Sequence, residues 1–263
     1  MSEPAVLTEV EGTTLWITLN RPEAMNAMSA AVVAGLDTAV DEIERDARLR
    51  VAVITGAGRA FSAGGDLKAF RENVSAGRHD RFLEDLRRAQ DVFDRVEKLR
   101  CPVIAAVNGA AVAGGLELIL CCDLVIAAES ARIGDGHATW GLIPGGGSTA
   151  RLPRRVPPGI AKMLLLTGEL WPARALLPSG LVNEVVADDQ LRPRVAALAE
   201  QLAANSPLGL AWIKRLADGG RDQPVETAAR AELAAFESYA KSADLLEGLT
   251  AFEEKRKPRF TGR

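Results

Sequence analysis

The chain has 263 residues, a formal net charge of −3, 48% hydrophobic residues and 25% charged residues. These values are ordinary for a globular protein, and the acidic balance argues against a nucleic-acid-binding surface. No apolar run reaches the roughly 18 residues of a membrane span, and the acidic beginning lacks the apolar core of a signal peptide. The three cysteines lack metal spacing, and the presence of only two histidines argues against a multi-histidine metal site. We therefore expect a cytoplasmic protein with reduced cysteines.

The first third of the chain has the pattern of an α/β unit. Alternating residues predict a β-hairpin over 6–19 that turns near Gly12. Ser29 is expected to cap an amphipathic helix over about 30–45. A short buried strand follows over 51–55. The order strand, helix, strand favours a crossover between parallel strands.

Two nucleotide-dependent classes are disfavoured by single residues. The glycines of 56–58 follow a strand, but Phe61 stands where a dinucleotide loop needs its third glycine. A short-chain dehydrogenase would need a tyrosine with a lysine four residues later. The one tyrosine, Tyr239, has Ala243 at that position.

The stretch 101–123 carries the strongest chemical signal. A buried strand is predicted over 102–107, followed by a turn at Asn108. After Gly114 and Gly115 an apolar helix is predicted from Leu116, with Glu117 in its first turn. Amides at a helix start lack intrahelical acceptors, and glycine lets a substrate approach them. The stretch therefore offers an oxyanion donor and a carboxylate close together.

Other loops are less specific. The glycine-rich segment 61–67 exposes backbone before a helical pattern, and 68–88 is predicted to be a mobile helix-loop segment broken at Gly77. His79 has charged neighbours and is expected to be solvated. Ser148 fails the G-x-S-x-G pattern of serine hydrolases because Ala150 replaces the last glycine.

The second half continues the α/β pattern and then becomes helical. We predict strands over 124–128 and 180–186, a glycine-punctuated loop over 133–141, a helix over 159–166, and helices from about 191 that are split at 205–207 and 219–220. The basic end, 255–263, is either solvated or in contact with a phosphate-bearing ligand.

Seven motifs together resemble the crotonase (enoyl-CoA hydratase/isomerase) superfamily, and they cover nearly the whole chain. They are ITLNRPEAMNAM at 17–28, VITGAGRAFSAGGDL at 53–67, PVIAAVNGAAVAGGLEL at 102–118, GLIPGGG at 141–147, LLLTGE at 164–169, GLVNEVV at 180–186 and AFEEKRKPRF at 251–260. In this order they are specific for the superfamily but not for the reaction, because one scaffold hosts many chemistries.

The resemblance implies an α/β fold, a spiral of ββα units followed by a helical trimerisation region. We accordingly expect a crotonase core over 1–195 and a C-terminal helical region over 196–263. It also implies an acyl-CoA substrate, no cofactor other than the coenzyme A of that substrate, and a homotrimer or a dimer of trimers. Neither nucleic acid nor a membrane is an expected partner.

By position, the resemblance assigns the oxyanion hole to the amides of Gly65 and Gly114, and the water-activating carboxylate to Glu117. It also implies a set of coenzyme A contacts, the last two made in several members from a neighbouring subunit. These are Ala24, Ala63, Asp66, Leu67, Phe252 and Lys255.

One position departs from the pattern of the hydratases. Their second glutamate, four residues before Gly141, is replaced by His137, with Asp135 and Trp140 nearby. Histidine exchanges protons near neutral pH, so a hydratase with an altered acid is the simplest hypothesis. Double-bond isomerisation, hydrolysis of a thioester or β-diketone, and a weakly active acyl-CoA-binding protein remain alternatives.

Overall fold

The computed structural model describes residues 3–263, and the chain enters its fold through the predicted hairpin. Strand β1 (Val6–Glu11) pairs antiparallel with β2 (Thr14–Leu19), so that Val6 lies opposite Leu19. This hairpin forms one edge of a six-stranded sheet. The other four strands are parallel to β2, in the spatial order β3 (Val51–Gly56), β5 (Val103–Val107), β7 (Leu124–Ala128) and β10 (Glu184–Val186).

A second sheet is built from short strands that follow the strands of the first. Its spatial order is β4 (Ala60–Ser62), β6 (Ala110–Val112), β8 (Arg132–Gly134) and β9 (Trp171–Pro172). Three times the chain passes from the large sheet to the small sheet and then into helix, which is the expected repetition of ββα units. The sequence pattern did not reveal these strands, since two or three residues are too few to show periodicity.

Residues 3–263 include ten α-helices. The first begins as predicted, because the Ser29 hydroxyl accepts a hydrogen bond from the Val32 amide at 3.3 Å. The helices are α1 (Ala30–Arg45), α2 (Leu67–Ser75), α3 (His79–Glu97), α4 (Gly114–Leu120), α5 (Ser148–Arg155), α6 (Pro158–Thr167), α7 (Leu191–Ala203), α8 (Pro207–Gly220), α9 (Val225–Tyr239) and α10 (Ala243–Glu253). None of the helices in residues 3–263 combines the length and the apolarity needed to cross a membrane.

The core lies between the large sheet and the helices α1, α3, α4 and α7. Every residue of β5 is buried, as are all seven residues of α4, because helices or strands cover both faces. The three cysteines are buried and free. The end of β5 and the start of α4 are thus fixed by packing on all sides, which gives any group placed there a defined position.

Three predictions need correction or comment. The strand expected over 180–186 forms only at β10, because the preceding residues Leu181 and Val182 enter the core from a turn. The segment 68–88 holds parts of two helices separated by a short break at Gly77, where the sequence predicts a break, and its mobility stays a prediction. The domain division at 195 stays a prediction. It falls inside α7, whose buried residues belong to the main core.

The basic end of the chain folds back onto α10. Asp244 is buried and accepts hydrogen bonds from the amides of Thr261 and Gly262, at 2.7 and 3.0 Å. Arg256 forms an ion pair with Glu247 at 2.6 Å. Part of the basic cluster therefore serves to anchor the C-terminus.

Candidate active site

The two predicted oxyanion glycines lie on segments that are in direct contact. A Cβ atom added to Gly114 would be in van der Waals contact with the backbone of Gly64, the neighbour of Gly65, at 3.6 Å. Gly65 itself makes a single parallel bridge with Met28. Gly114 is the first residue of α4, so its amide has no intrahelical acceptor. A side chain at Gly64 would force the two segments apart, because its Cβ would stand 2.7 Å from the Cβ of Ala113.

Strained backbone leads into α4. Ala113 has φ 49° and ψ −113°, a conformation that a residue with a Cβ rarely adopts. Such strain costs on the order of 1–3 kcal/mol and is found mostly at functional sites. Here it turns the chain from β6 into α4, because the Ala113 amide donates to the Gly134 carbonyl at 3.2 Å while its own carbonyl accepts from the Glu117 amide.

Glu117 is a buried carboxylate, 4% exposed, whose side chain is held by backbone hydrogen bonds. Its Oε1 atom accepts hydrogen bonds from the amides of Gly146, at 2.8 Å, and Ser148, at 3.2 Å. Burial raises the pKa of Glu117, and this effect outweighs the opposing effects of those amides and of nearby His137. The hydroxyl of Ser148 is buried without a hydrogen-bond partner among residues 3–263, so no general base activates it.

His137 lies on a turn of alternating glycines, Gly134-Asp135-Gly136-His137, directly after β8. Gly134 packs so closely that a Cβ would meet the Glu169 carbonyl at 2.1 Å, and Gly136 has φ 70°. The Nδ1 atom of His137 is 3.0 Å from Oδ1 of Asp135, whose side chain is 1% exposed. Burial alone would lower the pKa of His137, but the hydrogen bond and charge of Asp135, with the charge of Glu117, give a net upward shift.

These groups surround a cavity of about 240 Å³. Seven of the ten predicted site residues line it: Ala63, Gly65, Asp66, Leu67, Gly114, Glu117 and His137. The cavity therefore joins the predicted oxyanion glycines to both predicted acid–base groups. Residues 3–263 contain no group of three or more potential metal ligands.

Three predicted residues lie outside the lining of this cavity. Ala24 is half-buried in a 3₁₀ turn, which is tied to the site by an ion pair of 3.3 Å between Arg21 and Asp66. Phe252 is 84% exposed at the end of α10, and Lys255 is exposed just beyond it. Neither Phe252 nor Lys255 lines the cavity of its own chain.

Sequence reasoning missed the apolar wall of the cavity. Phe82, Leu86 and Phe93 line it from α3, and Phe70 of α2 packs edge-on against Phe82 with ring centroids 4.9 Å apart. The apolar residues of α3 recur at helical spacing, and this pattern was the available signal. The many charged residues around them mask this pattern, and the sequence predicts only a mobile helix-loop segment over 68–88.

Solved structures identify the class of fold. The crystal structure of enoyl-CoA hydratase from Bacillus anthracis superposes with a TM-score of 0.92 at 37% sequence identity, covering 98% of this chain and 100% of that one. The protein thus has the crotonase fold, as the motifs predicted.

Sequence comparisons identify the family. The family model described as enoyl-CoA hydratase/isomerase matches residues 9–263. Crotonyl-CoA hydratase of Syntrophomonas wolfei is 38% identical over 99% of each chain. Carnitinyl-CoA dehydratase of Salmonella agona is 39% identical over the full length of both chains. The chain belongs to the enoyl-CoA hydratase/isomerase family. Relatives named for different reactions are about equally similar, so the reaction has to be argued from the site.

Proposed function

We propose that this protein is an enoyl-CoA hydratase, which adds water across the α,β double bond of a 2-enoyl-CoA thioester. The observation that carries the proposal is the meeting of Glu117, His137 and the two glycines at one cavity. Hydration needs one group that takes a proton from water, one that gives a proton to carbon, and donors for the charge that develops on the thioester oxygen.

Glu117 is the base in this mechanism. Its carboxylate takes a proton from water, whose oxygen forms a bond to the β-carbon while the electrons of the double bond move onto the thioester oxygen. The two backbone amides on Oε1 keep the carboxylate oriented. Its raised pKa makes it a stronger base than an exposed glutamate.

The amides of Gly65 and Gly114 stabilise the enolate oxygen. Preorganised donors of this kind lower a barrier by about 3–4 kcal/mol each in well-studied enzymes. The contact between the 64–65 segment and Gly114 sets their spacing, and the rigid surroundings of α4 remove the need for rearrangement during the reaction.

His137 is the acid. With Nδ1 engaged by Asp135, Nε2 is the nitrogen left for the cavity. The imidazolium gives its Nε2 proton to the α-carbon as the enolate collapses. The cycle then starts with a glutamate anion and an imidazolium and ends with a glutamic acid and a neutral imidazole. Transfer of the glutamic acid proton to Nε2, directly or through water, restores the starting state.

Hydrolysis is the second candidate, and the contact between Asp135 and His137 favours it. An imidazole whose Nδ1–H is held by a carboxylate can deprotonate water at Nε2. Water would then attack a carbonyl carbon, either of the thioester itself or of a β-diketone, with the same two glycine amides binding the oxyanion.

Purified protein mixed with crotonyl-CoA distinguishes the candidates. The proposal predicts loss of the ultraviolet absorbance of the conjugated thioester, with 3-hydroxybutyryl-CoA as product and no free thiol. Release of coenzyme A thiol would indicate hydrolysis, and migration of the double bond in a 3-enoyl-CoA without hydration would indicate an isomerase. Binding without turnover of any enoyl-, oxo- or β-diketo-thioester would indicate an acyl-CoA-binding protein.

We further propose a homotrimer or a dimer of trimers in the cytoplasm, with coenzyme A entering only as part of the substrate. Large apolar side chains are exposed along the C-terminal helices, which supports burial of that surface between subunits. They include Ile213, Val225, Leu233, Phe236, Leu246, Leu249 and Phe252. Light scattering should give three or six times the chain mass of 28.0 kDa. A monomer at micromolar concentration would refute this.

A further inference from the structure

Asp135 is an unusually placed carboxylate. The residue is completely buried, and its Oδ1 atom accepts the backbone amide of His137 at 3.3 Å in addition to contacting the imidazole at 3.0 Å. Its Oδ2 atom has no hydrogen-bond partner among residues 3–263. Removing a carboxylate from water is costly unless a cationic or donor group compensates. The imidazole of His137 is the side chain that is hydrogen-bonded to it in residues 3–263.

The backbone is shaped to keep this contact. Asp135 follows the last residue of β8, Gly134, which fits only without a side chain. It precedes Gly136, where a Cβ would meet a methyl group of Val112 at 2.6 Å in a left-handed conformation. Two glycines therefore restrict the turn on both sides of the carboxylate, and the His137 side chain extends from that turn to the cavity.

We propose that Asp135 is a positioning residue for the acid step, one that fixes His137 as the Nδ1–H tautomer and keeps its ring protonated for proton delivery from Nε2. The direction of proton delivery rests on the proposed hydratase function; the tautomer and the proton affinity do not. Because a carboxylate oxygen only accepts, Nδ1 must be the donor in their hydrogen bond. Nε2 is therefore a base when the ring is neutral and an acid when it is charged.

The charges around His137 agree with this role. Asp135 and Glu117 are the two carboxylates that act on it, and both favour the charged ring against the effect of burial, so that the pKa of His137 is raised. Helix α3 adds one carboxylate and two guanidinium groups to the lining of the cavity, Asp85, Arg81 and Arg88. Arg81 is paired with Asp85 at 3.4 Å. The carboxylate that is hydrogen-bonded to the imidazole is Asp135.

The chain is well suited to a direct test because it has only two histidines. The exposed His79 can be assigned with H79Q, so the imidazole nitrogens of His137 can be followed by NMR in the resting protein. In the unaltered protein, at pH values above the pKa of His137, the neutral ring should be the Nδ1–H tautomer. Observation of the Nε2–H tautomer would overturn the proposal without any variant at Asp135.

The variant Asp135→Asn keeps the size and an accepting oxygen but removes the charge. We expect the pKa of His137 to fall and the alkaline limb of kcat/KM to move to lower pH with it. Activity at pH 8 should drop about 10- to 100-fold, by analogy with the loss seen when the carboxylate that orients a metal-ligating histidine is removed. The control Asp189→Asn makes the same change at an exposed position away from the cavity, and it should alter neither property.

A folded Asp135→Asn protein with an unchanged His137 titration and tautomer would reduce Asp135 to a structural residue, even if activity fell. Failure of the hydratase proposal gives a different result. The tautomer and the shift in titration would then be present, but crotonyl-CoA would not be hydrated.

Discussion

Replacement of Glu117 by glutamine separates the charge of this residue from its position. The Gln oxygen can take the place of Oε1 and accept the same two backbone amides, at 2.8 and 3.2 Å. The substitution therefore leaves the cavity shape nearly unchanged and removes only the base. General base catalysis contributes about 10²–10⁴-fold, so kcat should fall by that factor, which equals about 3–5 kcal/mol of barrier.

The same substitution should not harm stability. The raised pKa of Glu117 means that the folded state holds its proton more tightly than the unfolded state does. Stability is therefore lost as pH rises from the unfolded-state pKa of Glu117 through its higher folded-state pKa, and it stays lower at all pH values above that. Glu117→Gln should therefore melt no lower than the unaltered protein at pH 8.

Hydration of crotonyl-CoA, equilibrium binding of a non-reactive coenzyme A thioester and thermal melting are the three assays required. The control Glu200→Gln removes a carboxylate from the exposed face of α7 and should behave as the unaltered protein does. If Glu117→Gln retained kcat within threefold of the unaltered protein, Glu117 would not be the base. If it lost thioester binding as well, its role would be structural.

Three further predictions concern the cavity, the turn and the pH profile. Leu86→Ala removes part of the apolar wall and so enlarges the cavity. It should shift kcat/KM toward longer acyl chains, relative to crotonyl-CoA, by about tenfold, the scale of a methylene in an apolar pocket. Gly136→Ala and the control Gly77→Ala share a left-handed backbone, but only the first would meet a side chain. Gly77→Ala should lose about 1–2 kcal/mol of stability, and Gly136→Ala should lose more, because its Cβ would overlap Val112. Only Gly136→Ala should lose most of its activity, and equal activities would contradict the role of the turn. The pH profile of kcat/KM should be bell-shaped. Its acid limb, from Glu117, should lie above the ordinary pKa of 4.5, and its alkaline limb, from His137, above the ordinary pKa of 6.5, because both pKa values are raised. Limbs at or below those values would contradict the assignment.

Long elements and motif positions could be predicted from the sequence, because each leaves a local signal. The hairpin, the Ser29 cap and the helix that carries Glu117 follow from alternation, capping chemistry and glycine placement. The burial of Glu117 followed from its apolar neighbours. Whole-chain motifs gave the family.

What was missed depends on contacts between distant segments. The short strands of the second sheet are stabilised by pairing with one another and have no periodicity of their own. Helix α3 is strongly charged, yet Phe82, Leu86 and Phe93 form one wall of the cavity. The hydrogen bond between Asp135 and His137 requires the backbone reversal at Gly136, and residue types alone do not show how such a turn directs its side chains.

The most direct test of the account is to run the reaction of crotonyl-CoA in water labelled with ¹⁸O and deuterium and to locate both isotopes in the product. If Glu117 activates water and His137 protonates the α-carbon, the product is 3-hydroxybutyryl-CoA with one ¹⁸O at the β-carbon and one deuterium at the α-carbon. Isotopic oxygen found instead in a free carboxylate would show that water attacked the carbonyl. Recovery of unlabelled crotonyl-CoA from a protein that binds it would show that the two groups do not carry out hydration.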